Sequence, residues 1–135
     1  MIVQSKLTEA RALLSTLYLF FILNIVFRDI HQFLSPGYID WVIAGEMFGM
    51  EITDGLMLFG AFAVEPFIAM VLLARILPRK MVRIINPLVA LWTGVLNFST
   101  PPIDPDDIFF LVICTVTLLA IVYVGHRHFA PEREV

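Results

Sequence analysis

ITDGLMLFGAFAVEPFIAMVLLARIL, residues 52–77, is the stretch on which the reading of the chain turns. It is long enough to cross a bilayer, for which about 20 mostly apolar residues suffice. Yet it carries Glu65 near its middle and Asp54 near its start. A carboxylate at membrane depth is costly, so it requires a partner, a water-filled cavity or a proton. Pro66, the next residue, lacks the N–H that would bond to the Phe62 carbonyl and favours a kink there.

The surroundings of this stretch are equally apolar. Of 135 residues, 59% are hydrophobic and 16% charged, and the mean hydropathy is +0.88. A water-soluble domain carries more charge and less apolar surface, so the bilayer is the expected solvent and one membrane domain spanning 1–135 the expected unit. The single cysteine, Cys114, lies in an apolar run. It excludes an internal disulfide, a zinc site and the cysteine-pair chemistry of thiol oxidoreductases.

Working outward, Leu13 to Phe27 is apolar apart from Asn24 and its hydroxyl residues, and is followed by charged sequence (Arg28, Asp29, His31) rather than by a small-residue cleavage site. It reads as an uncleaved first span, 11–32. Ser35-Pro36-Gly37 ends it. The segment YIDWVIAGEMFGM, 38–50, is too short and polar to span, and suits an interfacial helix or folded loop with Trp41 at headgroup level. After the second span, 52–77, a basic turn at Pro78-Arg79-Lys80 leads into a third, 82–98. The acidic, proline-rich STPPIDPDD then leads into a fourth, 107–125, with Asp106 or Asp107 placed to cap its start. The remaining tail, HRHFAPEREV, is polar and expected to fray. The fold class is therefore all-α: a four-helix transmembrane bundle with a short interfacial segment between helices 1 and 2.

Charge supports four spans. With both termini and the basic turn on one side, that side carries eight of the nine Lys and Arg residues, and the other only Arg28. The bias makes the first side cytoplasmic and predicts a multi-pass cell-membrane protein with both termini inside. Asp29, Asp54, Asp104, Asp106 and Asp107 fall on the opposite side.

Helical phase suggests a site. Asp54 and Glu65 are eleven residues apart, about three turns with little net rotation, so they share one face. Asn24, Arg28 and His31 share another. On the third span Asn86, Ala90, Thr93 or Gly94, and Asn97 form a small and polar stripe of the kind that faces other helices. These faces predict an outward-opening pocket walled by Asn24, Arg28, Asp54, Asn97 and Asp107, with Glu65 as its floor, open to a small polar ligand or a proton. Each wall has a plainer reading. Glu65 can be a structural residue bonded to Asn24 or Asn97, Arg28–Asp29 an interfacial ion pair, and the acidic loop a helix cap.

Several classes drop out. His31 lies at the opposite end from His126 and His128, so no bis-histidine haem site forms. No phosphate loop, Ser-His-Asp set or HExxH occurs, the aspartates make no known metal-ligand spacing, and nothing suggests nucleic-acid binding. No cofactor or metal is expected. The small multidrug resistance transporters are of similar size, but theirs is a first-helix glutamate with weak charge bias. Here the glutamate is in the second span and the bias is strong.

Three stretches, LYLFFILNIVFRDIHQF, DGLMLFGAFAVEPFIAMVLLARILP and IDPDDIFF, resemble a family of small bacterial four-helix membrane proteins catalogued as a domain of unknown function, and more distantly the DoxX-like group. The resemblance covers about residues 13–123 and implies fold and a bacterial inner-membrane location. It brings no activity, cofactor or catalytic residue. Three functions stay open: a pocket for a ligand or proton centred on Glu65, a structural or accessory subunit, and an intramembrane lipid or isoprenoid enzyme using Glu65 and Asp54. The weight lies against an enzyme, because two acids three turns apart on one helix cannot easily touch one substrate atom. Expected partners are the lipid bilayer, a small ligand or lipid, and a second copy or another membrane protein.

Overall fold

The computed structural model describes residues 2–47, 49–99, 102 and 104–129, with residues 2–4 described for their backbone alone. Residues 130–135, Arg133 among them, and part of the acidic loop (Thr100, Pro101, Ile103) lie outside the described residues, while His126 to Phe129 of the tail expected to fray are helical. The chain forms α1 (Ile2–Leu34), α2 (Tyr38–Ile43), a minimal hairpin β1 (Glu46–Met47) and β2 (Met50–Glu51), α3 (Asp54–Ile76), α4 (Arg79–Ser99) and α5 (Pro105–Phe129). Four of these helices are long and apolar enough to cross a membrane: the protein is an all-α, four-helix, multi-pass membrane bundle.

The helix ends follow local chemistry. Gly37 adopts a left-handed conformation (φ 81°) between α1 and α2, where a residue without Cβ is favoured. The 38–50 segment folds as the six-residue α2 followed by the hairpin, and none of α2 is buried. Thr53 caps α3, its Oγ1 accepting from the Leu56 N–H at 3.2 Å. Pro105 opens α5, at the one position where a missing N–H costs a helix nothing. Asp107 Oδ2 then accepts from the Asp104 N–H at 3.4 Å, the back-reaching half of a capping box. α1 starts at Ile2, well before the predicted span 11–32.

Each long helix touches two others: α1 packs on α3 and α5, and α4 on α3 and α5. The four therefore form a ring in which α1 and α4 stand at opposite corners. The core is built from Leu14, Tyr18 and Phe21 of α1, Phe67 and Met70 of α3, Val82 and Ala90 of α4, and Cys114 and Ile121 of α5. Phe21 meets Phe67 edge to face at 5.7 Å between ring centres. The bundle has two distinguishable ends. The terminal end carries the start of α1, the α3–α4 turn and the end of α5. The loop end carries α2, the hairpin and the α4–α5 loop.

Candidate functional site

The stripe on α4 is the clearest guide into the interior. Val82, Asn86, Ala90, Thr93 and Asn97 are all buried, a 4-4-3-4 spacing that keeps one face inward. Two asparagines mark it, eleven residues apart.

Asn86 is fully engaged. The Tyr18 hydroxyl donates to its Oδ1 at 3.0 Å, reaching across the ring from the opposite corner. Its Nδ2 donates to the Ile121 carbonyl at 3.3 Å. The contact tying α4 to α5 depends on Gly125, because a Cβ there would overlap the Asn86 amide nitrogen. Below it, Ser15 Oγ donates to the Val71 carbonyl at 2.6 Å and accepts from Arg75 Nε at 3.0 Å. Arg11 Nη1 donates to the Arg75 and Leu77 carbonyls at 2.9 and 2.8 Å, satisfying the open C-terminus of α3. Tyr18, Ser15, Arg11, Arg75 and Gly125 were not among the predicted site residues. The signal for Tyr18 was present, since a lone tyrosine in an apolar run needs a partner for its hydroxyl.

Asn97 is the reverse. It is 3% exposed, and neither its Nδ2 nor its Oδ1 has a hydrogen-bond partner among the described residues. Arg28 of α1 also turns inward at this end: its side chain is 14% exposed and its Nε is buried with no partner among the described residues. One of its Nη atoms lies 3.4 Å from Asp29. The helix registers bring the two residues to one level. Counted from the Phe21–Phe67 contact and from Trp92 Nε1, which donates to the Ala63 carbonyl at 2.8 Å, Arg28 and Asn97 differ in depth by about 3 Å at 1.5 Å per residue. The arrangement is a buried polar level holding two donor groups and one amide acceptor, with no bonds among the described residues to satisfy the amide.

A polar seal closes this level from the loop end. Gln32 Nε2 donates to Asp107 Oδ1 at 3.5 Å and Ser35 Oγ to Asp104 Oδ2 at 3.2 Å. His31 Nδ1 lies 3.3 Å from Asp106 Oδ2 with its ring edge on Phe110. Beside the seal, partial burial pushes the Tyr38 phenol above its ordinary range, and the Asp29 carboxylate adds to the shift. Among the described residues no group of three His, Cys, Asp or Glu side chains is placed to hold a metal.

The six predicted residues thus divide. Arg28 and Asn97 lie at about the same depth, on helices at opposite corners of the ring. Asp107 is buried beside them, but its oxygens serve the α5 cap and Gln32. Asn24 is half-buried and donates to its own helix, to the Phe20 carbonyl at 2.8 Å. Asp54 and Glu65 do share a face, but it is the outer one: both are exposed, while the inward face of α3 is Ala63, Phe67, Met70 and Ala74. The expectation that Glu65 floors an interior pocket is corrected accordingly. Two residues beyond Ala63 on a 3.6-residue helix is more than half a turn around.

Fold and interior together define a class: a compact multi-pass helical membrane protein with one satisfied and one unsatisfied polar level in its core. Within that class the chain belongs to the DUF6326 family, a family of unknown function, whose model matches residues 2–128. No curated protein matches the chain, and no solved structure does.

Proposed function

We infer that the protein binds a small polar ligand in the loop-end half of its bundle, between Arg28 and Asn97. The observation that carries this reading is the Asn97 amide, buried with neither polar atom bonded among the described residues. A buried amide without partners is costly, and a ligand that accepts from Arg28 Nε and from Asn97 Nδ2 while donating to Asn97 Oδ1 removes the cost. A small primary amide has this pattern. Asp107, Gln32 and the His31–Asp106 pair are then the gate through which it enters. The positive-inside rule sets the loop end outside the cell and both termini in the cytoplasm, so the site takes its ligand from outside. A bacterial inner membrane and the distant DoxX-like likeness belong to the same reading.

Two older readings change weight. Asp54 and Glu65 lie on the outside of the bundle, which removes the basis for using them as an acid–base pair on an enclosed substrate. The structural-subunit reading draws support from the Tyr18–Asn86–Ile121 bridge, and leaves the bare Asn97 unexplained.

The test is access. Asn97→Cys in a Cys114→Ser background should react with a membrane-impermeant thiosulfonate added at the loop end. Formamide and acetamide should raise the thermal midpoint of the unaltered protein and leave Asn97→Leu unmoved. A cysteine at 97 that stays unreactive from both sides of the membrane, with no thermal shift from any such probe, would sink the reading.

A further inference from the structure

A membrane helix that turns a carboxylate outward at mid-length calls for a partner outside its own bundle. Glu65 lies at the centre of the 23-residue α3, is exposed, and has no hydrogen-bond or ion-pair partner among the described residues. Polar groups in the hydrocarbon region are among the few forces that draw helices together there, since apolar side chains gain nothing over lipid.

The face around Glu65 is patterned. Asp54, Leu58, Ala61, Glu65, Ile68 and Leu72 follow one another at spacings of 4-3-4-3-4 and are all exposed. That is the seam of a left-handed helix pair, with Asp54 at its end and Glu65 as the one polar residue in its interior, the device that fixes register and copy number in such pairs. An open groove of about 560 Å³ between α1 and α3, lined by Leu19, Ile22, Ile68 and Leu72 among others, runs alongside the seam and leaves room for a neighbour's side chains.

We propose that α3 pairs with α3 of a second copy of this chain along this seam, with the two Glu65 side chains in contact. The choice of a second copy follows from symmetry and chemistry. Two copies inserted in the same orientation are related by a twofold axis along the membrane normal, so their α3 helices run parallel and each residue meets its own counterpart at the same depth. A carboxylic acid is self-complementary, with one O–H donor and one carbonyl acceptor. Glu65 therefore satisfies Glu65, and Ala61 over Ala61 lets the backbones close. The inference uses the outer face only and stands or falls separately from the Arg28–Asn97 site.

Disulfide crosslinking in vesicles tests it, with single cysteines in the Cys114→Ser background. Leu58→Cys and Ala61→Cys should form same-residue dimers at least tenfold faster than Phe62→Cys or Val122→Cys, which are exposed but off the seam. By single-molecule photobleaching in vesicles of phosphatidylethanolamine and phosphatidylglycerol, the unaltered protein should be dimeric at low density. Glu65→Gln, whose amide is also self-complementary, should stay dimeric, and Glu65→Ala should lose association at least tenfold. The Glu65 side chain makes no bond among the described residues, so both variants should keep the helix content of the parent by circular dichroism. Equal crosslinking on and off the seam, a monomer at every density, or association unaltered in Glu65→Ala would each overturn the proposal. So would a monomer that retains phospholipid in the α1–α3 groove, which would assign that face to lipid.

Discussion

Asn86 and Asn97 sit on one face of one helix, both buried, and differ in everything else. At Asn86 a tyrosine from the far corner and a carbonyl from the neighbouring helix take both ends of the amide. At Asn97 the amide meets neither donor nor acceptor among the described residues. The terminal half of the bundle is thus closed by its own side chains, and the loop half keeps unused polar capacity at the depth of an inward arginine. A residue type alone does not separate a structural asparagine from a binding one. The bonding state of its amide does.

The contrast is most easily broken at Gly125. Its alanine variant drives a methyl group into the Asn86 amide and breaks the bond to Ile121 as well. Overpacking of a tight interior costs about 1–3 kcal/mol, and with the lost bond the expected loss is about 3 kcal/mol, read from unfolding in mixed micelles. A tolerated Gly125→Ala would mean that α4 and α5 can separate freely, and the terminal half would lose its claim to be the closed one.

Removing the bridge itself comes next. Asn86→Ala leaves the Tyr18 hydroxyl without its principal acceptor, for an expected loss of about 1–2 kcal/mol, the upper range for interhelical hydrogen bonds in membranes. Tyr18→Phe should cost less, and the double variant clearly less than the sum, because the two share one bond. Strict additivity in that cycle would show that the two residues act independently. Ser15→Ala, which removes the link between Val71 and Arg75, should cost about 0.6 kcal/mol, close to the membrane average.

How much of this was legible in the sequence depends on which solvent rule applied. The four spans were readable because length and hydropathy bear directly on a bilayer, and the helices fall where those runs are. The α4 stripe was readable because polar and small residues at helical spacing seek other helices rather than lipid, and Asn86, Ala90, Thr93 and Asn97 are buried. α3 was readable only halfway. Phase put Asp54 and Glu65 on one face, as they are, but α3 is apolar on both faces, and in lipid an apolar face points outward as readily as inward. The usual rule, polar out and apolar in, has no sign there. The acids were assigned inward because burial among helices looked cheaper than lipid, whereas Ala63, Phe67, Met70 and Ala74 take the core. Arg11 and Ser15 were passed over because their partners are backbone carbonyls of α3, which sequence spacing does not reveal.

The smallest expected effect sharpens the comparison most. Asn97→Leu exchanges a buried amide for an apolar side chain of similar size at a position where no hydrogen bond among the described residues is lost. Replacing an unsatisfied polar group in this way is neutral or stabilising, so the unfolding free energy of ligand-free protein should fall by less than about 0.5 kcal/mol or rise. The same variant should lose the thermal shift given by formamide. The opposite pairing of results, a loss of about 1–2 kcal/mol like that expected at Asn86 with the formamide shift unaltered, would make Asn97 a second structural asparagine and erase the distinction between the two halves. A neutral Asn97→Leu beside a damaging Asn86→Ala would locate the available polar chemistry of the bundle in its loop half, because the terminal half has already used its own.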